Sequence, residues 1–301
     1  MVRALVTGGC GFIGSHLCEE LVKRGYGVTV IDDLSTGRHE NIKDLPVDFV
    51  EGNVKSLPFI IGACRNMDVV FHLAAMNRAL RSIDNPIEAN NVNVTGTLNV
   101  LMGAKHNGVK RVVYASSSSV YGGGELFVKK EQHKPNPETP YAVGKLTGEY
   151  YCHVFQRLYG LQTICLRYFS VYGERQRSDV EYAAVIPKFI DRLKNDLPCV
   201  IYGDGSQIRD FTYVKDTVEA TVMLAESNET GVFNVSCAET VTINRLSSIL
   251  CELMGKKIPP IYEAERVGEV KCLSADILKI KQLGFVPKYG IRRGLKEMMN
   301  G

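Results

Sequence analysis

Val6-Thr7-Gly8-Gly9-Cys10-Gly11-Phe12-Ile13-Gly14-Ser15 follows a first strand-like run, residues 3–7, and opens a helical pattern over 12–24. Each of the three spaced glycines has a task in a strand–turn–helix unit. Gly8 suits the tight turn, Gly11 leaves room for a diphosphate against bare backbone, and Gly14 lets helix and strand pack closely. The helix that starts there presents unpaired N–H groups to an anion. Glycine triplets alone are weak evidence; the position directly after the first strand gives this one its weight. The second strand-like run, 27–31, ends in Asp32-Asp33. A carboxylate at that point accepts hydrogen bonds from both hydroxyls of an adenosine ribose and repels a 2′-phosphate. The two segments together predict a site for NAD rather than NADP.

Working outward, strand-like runs at 47–50, 69–73, 111–115 and 162–166 alternate with helical periodicity over 12–24 and 89–106. Such alternation predicts an α/β fold built on a Rossmann-type doubly wound parallel sheet. The second half is less regular. Helical stretches at 183–194, 214–225, 243–254 and 291–299 and a strand at 231–235 surround a segment punctuated by Pro198, Gly203 and Gly205. We expect a smaller, mixed α/β substrate domain there. The expected division is residues 1–172, with 213–237 returning to them, against 173–212 and 238–301, the two halves sharing a crevice.

Composition narrows the function class. The 301 residues are 45% hydrophobic and 23% charged, with a formal net charge of +3. Scattered Lys and Arg indicate neither a nucleic-acid surface nor a polybasic membrane patch. No apolar run is long enough to cross a bilayer, and the chain enters a strand pattern at once, with no visible signal peptide. The nine cysteines and six histidines fall at no metal-ligand spacing. The cysteines read as reduced, buried small hydrophobes, which implies a cytoplasmic protein with no metal.

Two further segments bear on the use of NAD. Ser116-Ser117-Ser118-Ser119-Val120-Tyr121-Gly122 follows the strand at 111–115, and Pro140-Tyr141-Ala142-Val143-Gly144-Lys145 opens a helical pattern that runs towards Tyr159. Tyr141 and Lys145, four apart, share one helical face. A lone pair of this kind most often describes a solvated helix surface. Behind a dinucleotide fingerprint and a serine run it predicts more: a neighbouring ammonium and the positive nicotinamide both favour a phenolate, which makes Tyr141 a general base. Lys145 can also hold the nicotinamide ribose, and a serine hydroxyl can share the substrate's proton.

These segments together resemble the extended short-chain dehydrogenase/reductase family, and within it the nucleotide-sugar 4-epimerase branch, enzymes acting on UDP-glucose or UDP-N-acetylglucosamine. The resemblance spans nearly the whole chain. It takes in 7–14, 30–37, His72-Leu73-Ala74-Ala75, 93–97, 116–122, 141–145 and 166–173. It continues through Gly203-Asp204-Gly205, Arg209-Asp210-Phe211 and Arg266-Val267-Gly268-Glu269. It implies that Ser117, four before Tyr121, stands in place of the catalytic Ser/Thr, with Tyr141 as base and Lys145 as its partner. The implied cofactor residues are Gly8, Gly11, Phe12, Ile13 and Gly14 in the turn, and Asp32, Asp33, Leu34, Ser35, Thr36 and Gly37 after the second strand. Asn53, Val54, Leu73, Ala74, Ala75, Asn93, Ser116 and Phe169 complete that set, together with Tyr141 and Lys145.

The implied substrate residues are Ser117, Tyr141, Ser170, Val185, Ile186, Tyr202, Arg209, Arg266, Glu269 and Leu273. Arg209 and Arg266 would grip a nucleotide diphosphate from two sides, a job suited to a forked guanidinium; an ion pair between domains is the alternative role. Tyr202, Val185 and Ile186 would flank uracil. Three positions depart from the family pattern. Ser170 stands where Asn is usual, Asn53 replaces an Asp beside adenine but keeps an oxygen that can accept its hydrogen bond, and Glu269 replaces an Asp at the uridine ribose. The resemblance further implies a homodimer packed through the helices at 89–106 and 142–159.

Family membership does not choose the reaction. Dehydratases of the family usually carry Asp-Glu after the catalytic Ser/Thr, and decarboxylases a Glu at the second place. Here both positions are serines, Ser118 and Ser119, and an ordinary hydroxyl cannot act as acid or base in an elimination. Epimerisation at C4 needs nothing beyond Tyr141 and NAD: the hydroxyl proton leaves, hydride passes to NAD⁺, and the 4-keto sugar turns over and takes it back on the other face. The resemblance implies that Leu273 falls at the gate beside the sugar's C2 substituent, between the tyrosine that excludes N-acetyl sugars in the family and the small residues that admit them. We therefore expect a UDP-hexose 4-epimerase tolerant of N-acetyl sugars. The competing readings are a nucleotide-sugar dehydratase or reductase, the latter marked by stoichiometric cofactor consumption, and a NAD-binding regulatory protein.

Overall fold

The computed structural model describes residues 1–77, 79–124, 126–180, 183–265 and 272–300. Seven strands form its large sheet, in the order Gly231–Val235, Gln162–Tyr168, Arg111–Ser117, Val69–His72, Arg3–Thr7, Gly27–Asp32 and Asp48–Glu51. Its first five strands in the chain are parallel to their neighbours, as is Gln162–Tyr168 to Arg111–Ser117. A parallel sheet covered on both faces needs strands that are apolar on both sides. The chain supplies them: Leu5, Val6, Val30, Val70, Phe71, Ile164 and Leu166 are fully buried. Consecutive strands run outward from Arg3–Thr7 to Asp48–Glu51, and then the chain crosses back to Val69–His72 on the other side of the first strand. Doubly wound sheets bind ligands at this reversal, outside the carboxyl ends of the strands. The Rossmann-type parallel sheet expected from the alternating pattern is therefore present.

The chain divides into two compact units, Met1–Tyr121 with Lys134–Tyr168 and Val218–Phe233, and Gly122–His133 with Phe169–Thr217 and Asn234–Gly301. Residues 122–133, 169–172, 213–217 and 234–237 thus group with the second unit, although the sequence pattern placed them with the first. The second unit carries a mixed four-stranded sheet, ordered Thr240–Thr242, Ile208–Asp210, Cys272–Ala275, Val128–Lys129. Thr240–Thr242 pairs antiparallel with Ile208–Asp210 and the other two pairings are parallel. Buried Asp210 ties this sheet together, accepting hydrogen bonds from the Ala275 amide (3.0 Å) and the Ser236 hydroxyl.

The helix at 12–24 is observed as Phe12–Lys23, and the one opening at Tyr141 as Pro140–Tyr159. The latter has a complete set of end signals. Thr139 caps it by accepting from the Ala142 amide (3.2 Å), Pro140 occupies the first turn, and Gly160 closes it in the left-handed region at φ 71°. The single helix expected over 89–106 is instead Pro86–Asn90, a five-residue π turn at Asn91–Thr95, and Gly96–His106. The helix expected from 183 begins at Val185. Among the described residues no helix is long and apolar enough to cross a membrane, and six of the nine cysteines are buried free thiols.

Helix Pro140–Tyr159 packs against strand Arg111–Ser117 at the closest range its side chains allow. A Cβ at Gly148 would collide with the hydroxyl of Tyr114, which is itself 1% exposed and donates to the Lys145 carbonyl (3.3 Å). Gly148→Ala is expected to lower stability by about 1–3 kcal/mol, the cost of overpacking a filled core. Urea unfolding followed by circular dichroism measures it, and a parent-like midpoint would contradict this packing.

Candidate active site

The Gly-rich turn shows why each glycine is needed. Gly8 sits at φ 74°, and a Cβ there would come within 2.7 Å of the Ala74 amide nitrogen. A Cβ at Gly14 would collide with the Gly8 carbonyl oxygen. Helix Phe12–Lys23 starts on Gly11 with no side-chain cap. The amides of Phe12, Ile13 and Gly14, in its first turn, have no intrahelical acceptor. A bare turn ahead of open amides is the cradle that a dinucleotide diphosphate requires.

Asp32 stands beside this turn, 7% exposed. One of its oxygens accepts from the Leu34 amide (2.9 Å) and the other from the Cys10 amide (3.0 Å). A carboxylate has about four acceptor sites, so one lone pair per oxygen is left, enough for two ribose hydroxyls. Burial raises its pKa, against the opposing effect of the two amides. Asp33 turns outward, accepting from Ser35 and, at 2.6 Å, from the Asn53 side-chain amide. The Asn53 oxygen accepts from the Lys55 amide (2.9 Å), which leaves it one further lone pair. Burial, with Asp32 adding to it, pushes the thiol of Cys10, in the middle of the Gly-rich turn, up to about 12.

One cleft of the first unit is lined by Gly8, Gly11, Phe12, Ile13 and Gly14, by Asp32, Asp33, Ser35 and Thr36, and by Asn53 and Val54. Leu73, Ala74, Ala75, Tyr141 and Lys145 complete its predicted lining. Leu34, Gly37, Asn93, Ser116 and Ser117 are not on that lining. Leu34 and Gly37 instead pack around the Asp32 carboxylate. Asn93, 1% exposed, spends its amide on both backbone groups of Met76 (2.8 and 3.1 Å) and so holds the loop that forms the cleft wall. The sequence reading missed Met76, Asn77, Arg81, Glu88, Ala115 and Tyr168, all of which line the cleft. Residues 76–81 carry no periodicity or motif that would have marked them.

Behind the cleft a chain of hydrogen bonds fixes a histidine tautomer. The Thr97 hydroxyl donates to the Asn93 carbonyl (2.7 Å), so it must accept from His72 Nε2 (3.0 Å). His72 Nδ1 is then the acceptor for the Thr7 hydroxyl (2.8 Å). Burial, and after it the nearby Lys145, pushes His72 down to about 3, so the ring is a neutral strut between the end of strand Arg3–Thr7 and helix Gly96–His106.

Lys145, 3% exposed, donates to the Ala115 carbonyl (2.7 Å). Its Nζ lies 5.1 Å from the centroid of the Tyr114 ring and 5.9 Å from that of Tyr141. Burial pushes its pKa down to about 7. The Tyr141 amide donates to the Ser82 hydroxyl (3.0 Å), which fixes the start of the helix against Ala79–Asp84. Ser117, at the end of strand Arg111–Ser117, has its hydroxyl 3.1 Å from that of Ser119 and accepts from the Ser119 amide at the same distance.

In the second unit, Arg209 and Leu273 are register partners on adjacent strands and share one face of the mixed sheet. Lys129 pairs with Ala275, two residues beyond Leu273, and so lies on that face as well. The Lys129 ammonium is buried and donates to the Gly123 carbonyl (3.1 Å), a feature the sequence reading did not single out. Tyr202 ends strand Val200–Tyr202, its carbonyl accepting from the Gln207 side chain (2.5 Å). Val185 and Ile186 open helix Val185–Lys194, with Ile186 turned fully inward. Phe169 is buried, and Ser170 adopts φ 32° with its carbonyl accepting from the Thr212 amide (3.3 Å). Arg266 and Glu269 lie outside the described residues.

A family model, NAD dependent epimerase/dehydratase family, matches residues 4–236. The chain belongs to that family, the extended short-chain dehydrogenases/reductases, and uses NAD. Its resemblances point to the 4-epimerase branch. The chain is 38% identical over 301 residues to a putative UDP-glucose 4-epimerase of Methanocaldococcus jannaschii, covering 98% of this chain and 97% of the relative. It is similar in structure to a UDP-N-acetylglucosamine 4-epimerase of Methanobrevibacter ruminantium solved with UDP-N-acetylmuramic acid, at TM-score 0.96 and 37% identity, covering 99% and 97% of the two chains. A UDP-N-acetyl-alpha-D-glucosaminuronate decarboxylase of Bacillus cytotoxicus is 35% identical, with 98% and 96% covered. Similarity of that degree therefore spans more than one reaction.

Gly14→Ala is expected to weaken NAD binding by about fivefold to a hundredfold, since a Cβ forced against the Gly8 backbone costs about 1–3 kcal/mol. Titration calorimetry with NAD checks it; unchanged affinity would mean that the turn is not the diphosphate cradle.

Proposed function

We propose that this chain is a UDP-hexose 4-epimerase with UDP-glucose and UDP-galactose as substrates, and that Leu273 lets it accept UDP-N-acetylglucosamine and UDP-N-acetylgalactosamine. The observation that carries the reading is the joint lining of one cleft by the Gly-rich turn, Asp32, Tyr141 and Lys145. A second supports it against elimination or decarboxylation: Ser118 and Ser119, in the turn Ser118–Tyr121, offer no carboxylate after Ser117. NAD, when bound, supplies reversible acceptance of the C4 hydrogen with its electron pair and is regenerated at each turnover.

The chain's own residues perform the proton chemistry. The Tyr141 phenolate takes the proton of the C4 hydroxyl and returns it after the keto sugar has turned over. Lys145, on the same helical face, stabilises that phenolate while protonated and lies at the cleft to hold the nicotinamide ribose. The Ser117 hydroxyl, oriented by the Ser119 amide, shares the proton in transit. Arg209 and Arg266 neutralise the substrate diphosphate, Tyr202, Val185 and Ile186 flank the uracil, and Ser170 and Glu269 contact the nucleotide through water or directly.

We further infer that a second copy of the chain covers helix Pro140–Tyr159. Val143, Tyr150, Val154 and Leu158 form an exposed apolar stripe along it, and Ile83 and Ile87 extend the stripe on neighbouring helices. Exposed apolar surface on this scale marks an interface. Leu158→Glu is expected to convert a dimer to a monomer on light scattering; a parent chain that is already monomeric would overturn the homodimer.

Purified protein mixed with UDP-glucose and, separately, UDP-N-acetylglucosamine, without added cofactor, should give the galacto epimers by proton NMR. Tyr141→Phe should lower kcat by about 10²–10⁴, the usual contribution of a positioned general base. Net consumption of NAD would point to an oxidoreductase instead. Failure of the acetylated sugar alone would remove only the role given to Leu273.

A further inference from the structure

Glu149 lies one turn beyond Lys145 on the same face of helix Pro140–Tyr159, and Arg167 lies in strand Gln162–Tyr168. The two form a bidentate pair, Arg167 Nε to Glu149 Oε1 at 2.9 Å and Nη2 to Oε2 at 2.6 Å, with both side chains 4% exposed. A buried ion pair is a poor source of stability, because the desolvation of two charges offsets most of their attraction. An apolar pair would serve the core as well. Its placement suggests another role.

The pair grips the serine segment at both ends. The Ser116 hydroxyl donates to Glu149 Oε1 at 2.5 Å, and Ser116 is the register partner of Arg167 across the sheet. At the other end, the Arg167 guanidinium stacks 4.6 Å from the centroid of the Tyr121 ring, where the turn Ser118–Tyr121 finishes. Ser117 and Ser119 lie between these anchors. One residue back, the Ala115 carbonyl holds Lys145. Successive positions of one strand end therefore reach successive turns of one helix, Ala115 to Lys145 and Ser116 to Glu149. Neutral packing tolerates a shift of side chains, whereas a bidentate Arg–carboxylate contact fixes both distance and orientation.

We propose that Glu149 and Arg167 are positioning residues that set the Ser117 hydroxyl against Tyr141 and Lys145, and that this, rather than stability, is what the buried pair contributes. The inference rests on the reading of Tyr141 as base, and its test separates the two. The double variant Glu149→Leu/Arg167→Met replaces the pair with apolar groups, and Ser116→Ala removes only the hydroxyl that joins the pair to the serine segment. Thermal unfolding, NAD affinity, kcat, KM and the 295 nm absorbance of the Tyr141 phenolate against pH, assigned by difference from Tyr141→Phe, are measured on the NAD-loaded chain.

Both variants should unfold and bind NAD like the parent. Kcat should fall about a hundredfold in the double variant, as expected for a displacement of about 1 Å among reacting groups. It should fall less in Ser116→Ala, with KM little changed, and the midpoint of the phenolate signal should move in both. Parent-like kcat and an unmoved midpoint in a folded double variant would show the pair to be structural only. The same result in Ser116→Ala decides against the proposal if the double variant does not fold. If the parent converts no sugar, the epimerase reading fails, while the phenolate midpoint in the variants still tests the positioning role.

Discussion

A buried ammonium without a carboxylate must find another acceptor, and for Lys145 that acceptor is the Ala115 carbonyl at the end of a central strand. The contact requires helix Pro140–Tyr159 to lie closer to strand Arg111–Ser117 than ordinary side chains permit. The chain meets the requirement with Gly148, which leaves room for Tyr114, while Gly144 lets the same helix close on Asn93 in the turn Asn91–Thr95. Tyr114 returns the favour by bonding the Lys145 carbonyl and offering its ring to the ammonium. Burial holds Lys145 near the point where it loses its proton at neutral pH. The charge that would favour a phenolate is thus kept marginal by the same packing that places it.

The parts of the fold and site that could be read from the chain are those fixed by local backbone demands. Gly8 and Gly14 are legible because no other residue fits, and Asp32 because it ends a strand beside them. Tyr141 and Lys145 are legible because four-residue spacing fixes a shared face. What could not be read depends on partners distant in the chain. The sequence resemblance makes Asn93 a cofactor contact; its bonds to both backbone groups of Met76, 17 residues earlier, could not be read from it. Glu149 and Arg167 are unremarkable singly and acquire meaning only when the sheet brings them together. The strands of the mixed sheet, two to four residues each, are too short to show an alternating pattern. The helix over 89–106 was legible as helical, but its π turn was not, because one position of phase shift does not stand out when only five residues, Pro86–Asn90, precede the turn.

The cleft and the serine turn constrain chemistry in different ways. The cleft explains binding of a dinucleotide, a property common to the whole family, including a decarboxylase about as similar as several 4-epimerases. The serine turn is where reactions can diverge, because the residues after Ser117 decide whether a second acid or base is at hand. Here the Ser119 amide and hydroxyl are directed back at Ser117, so the turn organises a single hydroxyl instead of adding a second catalytic group.

The π turn at Asn91–Thr95 also bears on which insertions and deletions the chain can tolerate. A π turn takes up one residue more than an α turn, so loss of one residue there would leave an unbroken α-helix whose two flanks keep their faces. Thr97 and Asn99 would stay on His72 and on the backbone of Val54 and Lys55, and the contact at stake is the one Asn93 makes to Met76 from within the turn. Side-chain identity at Asn93 is therefore held more tightly than length in this short stretch.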